Sequence, residues 1–185
     1  MEKRKRIVFL GDSLTEWFDW VAYFPQYEVL NLGVSGERVE ELLDRLDRIH
    51  ARIDEPDILF IMTGINNIAM DDYEITGYYR AVIERLTSWY PRTMIVIQSL
   101  LPVDLHWIDN GIINGLNLSL QGIADAFRTE YLNVYSHFVN QEGRLIPSYL
   151  LDDGVHISDE GYSVWASVVA AYLAALRERP ECPPA

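Results

Sequence analysis

The chain has 185 residues, 49% of them hydrophobic, and its 15 Lys+Arg against 28 Asp+Glu leave a formal net charge of −13 at pH 7. That length suits one compact domain of roughly 100–200 residues, and the acidic balance argues against a nucleic-acid partner, because such affinity rests on neutralising phosphates with basic groups. The single cysteine, Cys182, excludes an intrachain disulfide and a cysteine metal cluster and fits a reducing, cytoplasmic compartment.

The basic start, Lys3 to Arg6, reads as a solvated terminus leading into a first strand at residues 6–10. Only four apolar residues, Ile7 to Leu10, precede Gly11 and Asp12, whereas an export signal needs a run of roughly 7–15. The turn Gly11-Asp12-Ser13-Leu14-Thr15 follows, then a crowd of aromatics at Trp17, Trp20, Tyr23 and Phe24. Most of these are expected in the core or in a groove wall, where aromatic side chains bury large areas. A second strand at 28–32 ends in Gly33-Val34-Ser35-Gly36, and apolar residues spaced three or four apart predict a helix over 37–53.

The third strand, 58–63, runs into Gly64-Ile65-Asn66-Asn67. Tyr79, Val82, Ile83, Leu86 and Trp89 mark a helix that stops at Tyr90, before Pro91. A fourth strand at 94–100 leads to the segment 102–110, which carries His106 and Trp107. A helix over 112–127, a fifth strand at 132–135 and the loop 136–157 come next; that loop contains Asp153-Gly154-Val155-His156. The last helix opens on Ser158-Asp159-Glu160-Gly161, a capping-box pattern weakened by glycine in the third helical position, and ends before Pro180. Its apolar run, 164–176, is shorter than the ~20 residues of a membrane span. One domain is expected over 4–178, with a proline-rich, disordered tail at 179–185.

Short apolar segments alternating with helical ones predict a parallel sheet covered on both faces, an α/β/α sandwich. Right-handed crossovers bring every strand's C-terminal end to one rim, where ligands gather. The Ser13, Gly33, Asn66 and His156 blocks all fall at that rim. Together they supply the parts of nucleophilic acyl transfer. Ser13 Oγ needs a base, and His156 is the candidate. Asp153 could orient the imidazole through Nδ1, with Asp152 as a competitor. The backbone N–H groups of Ser13 and Gly33 and the amide of Asn66 could receive the developing oxyanion.

These four blocks, in this order from residue 11 to residue 156, resemble those of the SGNH hydrolases, the GDSL family of esterases and lipases. The resemblance is to its small, single-domain branch, which includes platelet-activating-factor acetylhydrolase subunits. It implies a flavodoxin-like three-layer α/β/α fold with a five-stranded parallel sheet. It also implies Ser13 as nucleophile, Gly33 and Asn66 as oxyanion donors, and Asp153–His156 as the rest of the triad. Asn67 stands where the family typically has aspartate, which puts the loop's own hydrogen bonds in question.

His50 and His137 read as surface or loop residues; no metal and no cofactor is expected. Trp17, His106 and Trp107 are candidates for the substrate pocket. Apart from 136–157 the loops are short, which leaves no obvious lid and favours a small acyl group, acetyl first, on a neutral or zwitterionic ester. A thioesterase or lysophospholipase acting on longer chains stays open, as does a nucleotide- or flavin-binding module, although G-x-G-x-x-G and Gly-Lys-Ser/Thr motifs are absent. The partner expected is a small-molecule ester, and a homodimer is compatible with the sequence.

Overall fold

The computed structural model describes residues 4–178. Among these residues the strands β1 (Arg6–Gly11), β2 (Glu28–Gly33), β3 (Ile58–Met62), β4 (Met94–Gln98) and β5 (Glu130–Leu132) form one all-parallel sheet, ordered β2-β1-β3-β4-β5. Ile7 to Leu10 in β1 and all of β3 are buried. Strands covered on both faces cannot alternate apolar and polar residues, which is why they appear in the sequence as unbroken apolar runs.

The helices α1 (Ser13–Glu16), α2 (Trp20–Tyr23) and α7 (Asp159–Glu178) cover one face of the sheet. Trp20 locks this layer: its ring stacks on Phe9 at 4.2 Å and meets Trp165 edge to face at 4.9 Å, while its Nε1 donates to the Thr15 carbonyl. Of the crowded aromatics, Trp20 and Phe24 are therefore core, whereas Trp17 and Tyr23 remain exposed. The other face carries α3 (Val39–His50), α5 (Thr76–Trp89) and α6 (Asn110–Phe127), with α5 packed against both of its neighbours; α4 (Ile65–Ala69) is a short helix after β3. No helix among the described residues is long and apolar enough to cross a membrane.

From β1 the chain moves to β2 on one side and later to β3 on the other. This reversal opens a crevice at the C-terminal ends of β1 and β3, the usual ligand position in such sheets. The Ser13 and Asn66 blocks leave these two strands directly at the crevice.

One strand differs from the sequence reading in an instructive way. The fifth strand pairs over Glu130–Leu132 rather than 132–135, because the N–H groups of Val134 and Tyr135 both donate to the buried Ser99 Oγ and so leave the ladder. Tyr135 instead opens a 3₁₀ turn, Tyr135–His137. The last helix does begin after Ser158, whose Oγ accepts from Gly161 N–H at 3.1 Å. Glycine occupies the third position because a Cβ there would lie 2.3 Å from the Tyr149 carbonyl oxygen. Arg6, assigned to a solvated terminus, is instead ion-paired to Glu28 at 2.8 Å. The expected tail, 179–185, lies outside the described residues.

Candidate active site

Asp12 turns the chain from β1 into α1. Its backbone carbonyl accepts from the N–H groups of Thr15 and Glu16, and its side chain accepts from Leu14 N–H at 3.1 Å. Ser13 thereby becomes the first residue of a one-turn helix at the sheet rim, where backbone N–H groups have no intrahelical partner. Gly11 permits this, since a Cβ there would lie 2.2 Å from both Met62 O and Thr15 Oγ1. Ser13 itself is only 4% exposed.

His156 arrives from the loop before α7. Its Nε2 lies 3.1 Å from Ser13 Oγ, and its Nδ1 lies 2.7 Å from Asp153 Oδ2. The second oxygen of Asp153 accepts from the N–H groups of Val155 and His156 at 2.9 and 2.8 Å, so the acid is fixed by its own loop. Partial burial works against the charge of Asp153, but these two N–H donors and then the imidazole outweigh it and hold the carboxyl below its usual range. A carboxylate at Nδ1 keeps the proton there and turns the free lone pair of Nε2 toward the serine hydroxyl. Asp152, its competitor in the sequence, is exposed and makes no hydrogen bond or ion pair among the described residues. The loop is anchored by Asp104 N–H donating to the Gly154 carbonyl at 2.7 Å; Gly154 has φ +74°, and a Cβ would lie 2.4 Å from Asp104 O.

The donors for an oxyanion are arranged differently from expectation. The N–H of Gly33 is engaged by Asn31 Oδ1 at 3.0 Å. Its missing Cβ makes room for the backbone of α1, with Glu16 N 2.4 Å from where a Cβ would sit, and not for a substrate. Gly33 is thus a packing residue. The sequence reading passed over Gly36, which sits at φ +77° in a turn closed by Glu37 N–H to Val34 O at 3.1 Å. Its own N–H donates to no group among the described residues, and a Cβ there would meet open space. A serine-glycine pair in the turn beyond the strand was the available signal, since glycine is favoured where φ is positive. Asn66 Nδ2 donates to the Glu37 carbonyl at 2.9 Å, which brings the Asn66 amide next to this turn.

Asn67 is fully buried and holds this region together. Its Oδ1 accepts from Val39 N–H at the start of α3, and its Nδ2 donates to Glu40 at 2.9 Å and Asp72 at 3.0 Å. An amide fits between two carboxylates where a third carboxylate would be repelled. Below the site, burial pushes the Asp12 carboxyl up to about 7; the Leu14 N–H opposes this and the Glu37 charge adds to it. Burial likewise raises Glu37, against the pull of its ion pair with Arg45.

Trp17, expected as a pocket wall, lies flat on the His156 ring with centroids 4.1 Å apart and planes 10° from parallel. His106 and Trp107 are exposed and meet each other edge to face at 4.7 Å; no hydrogen bond or ring contact among the described residues joins them to Ser13, Asp153 or His156. His50 is exposed, stacked on Trp89 and bonded to the Tyr90 hydroxyl, and His137 is exposed in its 3₁₀ turn.

A family model described as the GDSL-like Lipase/Acylhydrolase family matches residues 9–164. The human platelet-activating factor acetylhydrolase IB subunit alpha1 is 26% identical over 170 residues, covering 88% of this chain and 72% of that protein. Among solved structures, a Streptococcus pneumonia chain described in connection with platelet activating factor is 28% identical with a TM-score of 0.82, over 92% of this chain and 84% of that one. An acetylxylan esterase from Geobacillus stearothermophilus shares the fold, with a TM-score of 0.74 at 19% identity over 92% and 94% of the two chains.

Proposed function

The chain belongs to the GDSL-like lipase/acylhydrolase family and is a serine ester hydrolase, and we propose that it removes short acyl groups, acetyl first, from small esters through an acyl-enzyme on Ser13. The observation that carries this reading is the hydrogen-bonded line from Ser13 Oγ through His156 to Asp153, at 3.1 and 2.7 Å. It joins a nucleophile, a base and an orienting acid drawn from opposite ends of the chain.

In this reading Ser13 Oγ attacks the ester carbonyl carbon while His156 Nε2 takes its proton, and Asp153 stabilises the resulting imidazolium. The carbonyl oxygen, now negative, is met by the N–H groups of Ser13 and Gly36 and the second N–H of Asn66 Nδ2. Such preset donors stabilise the transition state by about 2.7–4 kcal/mol each. Collapse of the tetrahedral species expels the alcohol, which takes the proton from Nε2. A water molecule then gives a proton to Nε2 and attacks the acyl carbon, and the carboxylic acid leaves as the proton returns to Ser13.

Two observations support a small acyl group. Ser13 is only 4% exposed, and its hydroxyl is already within hydrogen-bond reach of His156 Nε2, which suits a compact acyl group better than a bulky one. The curated relatives are named for the removal of acetyl. The net charge of −13 disfavours polyanionic substrates and favours neutral or zwitterionic esters. His106 and Trp107 are assigned to the outer wall, next to the His156 loop through the Asp104–Gly154 pair.

The test is labelling with a fluorophosphonate probe and location of the adduct by mass spectrometry, together with rates on acetyl, butyryl and octanoyl esters and an acetyl thioester. The adduct is expected on Ser13, and Ser13→Ala is expected to abolish turnover while keeping the thermal transition. Retained turnover in Ser13→Ala overturns the nucleophile. A faster octanoyl than acetyl rate overturns the short-chain assignment, and a dominant thioester rate makes the chain a thioesterase.

A further inference from the structure

We propose that Trp17 is a positioning residue for the general base: its indole clamps one face of the His156 imidazole, and Glu16 and Ser35 hold the indole in place. The inference rests on the reading of His156 as the base. The imidazole's two hydrogen bonds, to Ser13 and Asp153, both lie near the ring plane, so they define a line about which the ring can still rock. The His156 side chain is 24% exposed and that of Asp153 is 50% exposed, so solvent competes for both. A parallel ring 4.1 Å away opposes the out-of-plane motion that the hydrogen bonds leave free.

The indole is itself tethered. Its Nε1–H donates to Ser35 Oγ at 3.0 Å. The Ser35 hydroxyl donates in turn to the Glu16 carboxylate, and Ser35 N–H reaches the same carboxylate oxygen at 2.8 Å. With its proton committed to Glu16, the Ser35 oxygen presents a lone pair to the indole, so the direction of the chain is fixed at each link. Glu16 precedes Trp17 in sequence, which closes the arrangement into a small ring of contacts. Ser35 also precedes Gly36, so the same tether joins the turn bearing a candidate oxyanion donor to the face of the base.

The stack acts most strongly in the transition state. When His156 takes the proton from Ser13 it becomes a cation against an indole, the best of the aromatic faces for a cation within about 6 Å. An interaction stronger with the imidazolium than with the neutral ring raises kcat and leaves substrate binding nearly unchanged. A wall that merely touched the substrate would act on KM instead.

The experiment uses the full chain with Trp17→Ala, Trp17→Phe and Ser35→Ala. It measures kcat and KM on an acetyl ester, the rate of fluorophosphonate labelling, and the NMR shifts of the His156 ring protons. Trp17→Ala is expected to lower kcat and the labelling rate together, by roughly tenfold on the scale of cation–π contacts, with KM within about twofold. The His156 ring protons should move downfield as the indole ring current is lost. Trp17→Phe should recover most of the rate and much of the shift, and Ser35→Ala should fall between Phe and Ala. A raised KM with kcat and labelling unchanged overturns the role, as does a Phe variant no better than Ala. Absence of Ser13 labelling in the unsubstituted chain overturns the ester-hydrolase reading beneath it. Normal labelling there with an unchanged Trp17→Ala rate removes Trp17 alone.

Discussion

The Asn66 side-chain amide donates to the Glu37 carbonyl at 2.9 Å, which pins the loop after β3 to the turn that presents Gly36. One of its two N–H groups is thereby engaged, and the direction of the other is set before any substrate arrives. Asn66→Ala removes a preorganised donor from the rim. It is expected to lower kcat on an acetyl ester by about 10²–10³ with a small change in KM. Steady-state kinetics at saturating ester checks this, and an unchanged kcat removes Asn66 from the oxyanion site.

Much of this site was legible because its parts are local or punctuated. Asp153 and His156 are three residues apart on one loop, and Ser13 sits in a tight turn after an apolar run. The choice between Gly33 and Gly36 was not legible. Gly33 closes the second strand and Gly36 lies in the turn after it, and which amide is free depends on where the Asn31 side chain points and on the sign of φ in that turn. Gly33 is expected from the sequence as an oxyanion donor, but its amide is engaged by Asn31 and its missing Cβ makes room for the backbone of Glu16. The contact of Trp17 with His156 joins residues from opposite ends of the chain, and no periodicity encodes that. In the fold, the sheet and its flanking helices followed from apolar patterning. The fifth strand slipped because one buried hydroxyl, Ser99, captures two amides that the pattern assigned to the ladder.

Asp153 and Asp152 are adjacent in sequence and differ entirely in bonding. Asp153→Asn keeps an oxygen for the Val155 and His156 N–H groups but turns an NH₂ toward His156 Nδ1. The imidazole then carries its proton on Nε2, pointing at Ser13, and cannot act as a base. A drop in kcat of roughly 10³–10⁴ is expected, against less than about twofold for Asp152→Asn. Equal losses in the two variants, measured side by side, would remove Asp153 from the orienting role.

Asn67 replaces the aspartate typical of the resembled family, and its neighbours fit the amide. Glu40 and Asp72 both accept from Nδ2, and that bond, followed by the Glu74 N–H, holds Asp72 below the ordinary carboxylate range. Asn67→Asp loses two hydrogen bonds to charged groups and places a third carboxylate between them. A loss of about 2–3 kcal/mol is expected near neutral pH. The new carboxyl would be protonated more readily in the folded chain than in the unfolded one, so the loss should shrink on acidification. Adding Glu40→Gln should recover part of the stability. Urea melts at about pH 5 and pH 8 decide the matter, and equal stability of Asn67→Asp and the unsubstituted chain at pH 8 sinks it.

Asp12 supplies a pH dependence of opposite sense to most carboxylates. It is 1% exposed, and burial raises it from 3.8 to about 7, with Leu14 N–H opposing and Glu37 adding to the shift. A folded-state value above the unfolded one means that the folded chain binds the proton more tightly. Its contribution is therefore fully present below about pH 4, declines as pH rises toward 7, and changes little above that. At roughly 1.4 kcal/mol per unit, the loss is on the order of 4 kcal/mol, set against Asp72 and Asp153, whose lowered values add stability as pH rises. Asp12→Asn deletes the titration. The variant keeps an acceptor for Leu14 N–H, but its NH₂ faces donors, so its absolute stability can fall at every pH. The informative quantity is the difference between the two chains, which should move in favour of the Asp12→Asn variant as pH rises from about 4 to 7 and then stay level. Denaturant midpoints taken at half-unit pH steps measure it, and parallel curves for the two chains would show that Asp12 titrates alike folded and unfolded.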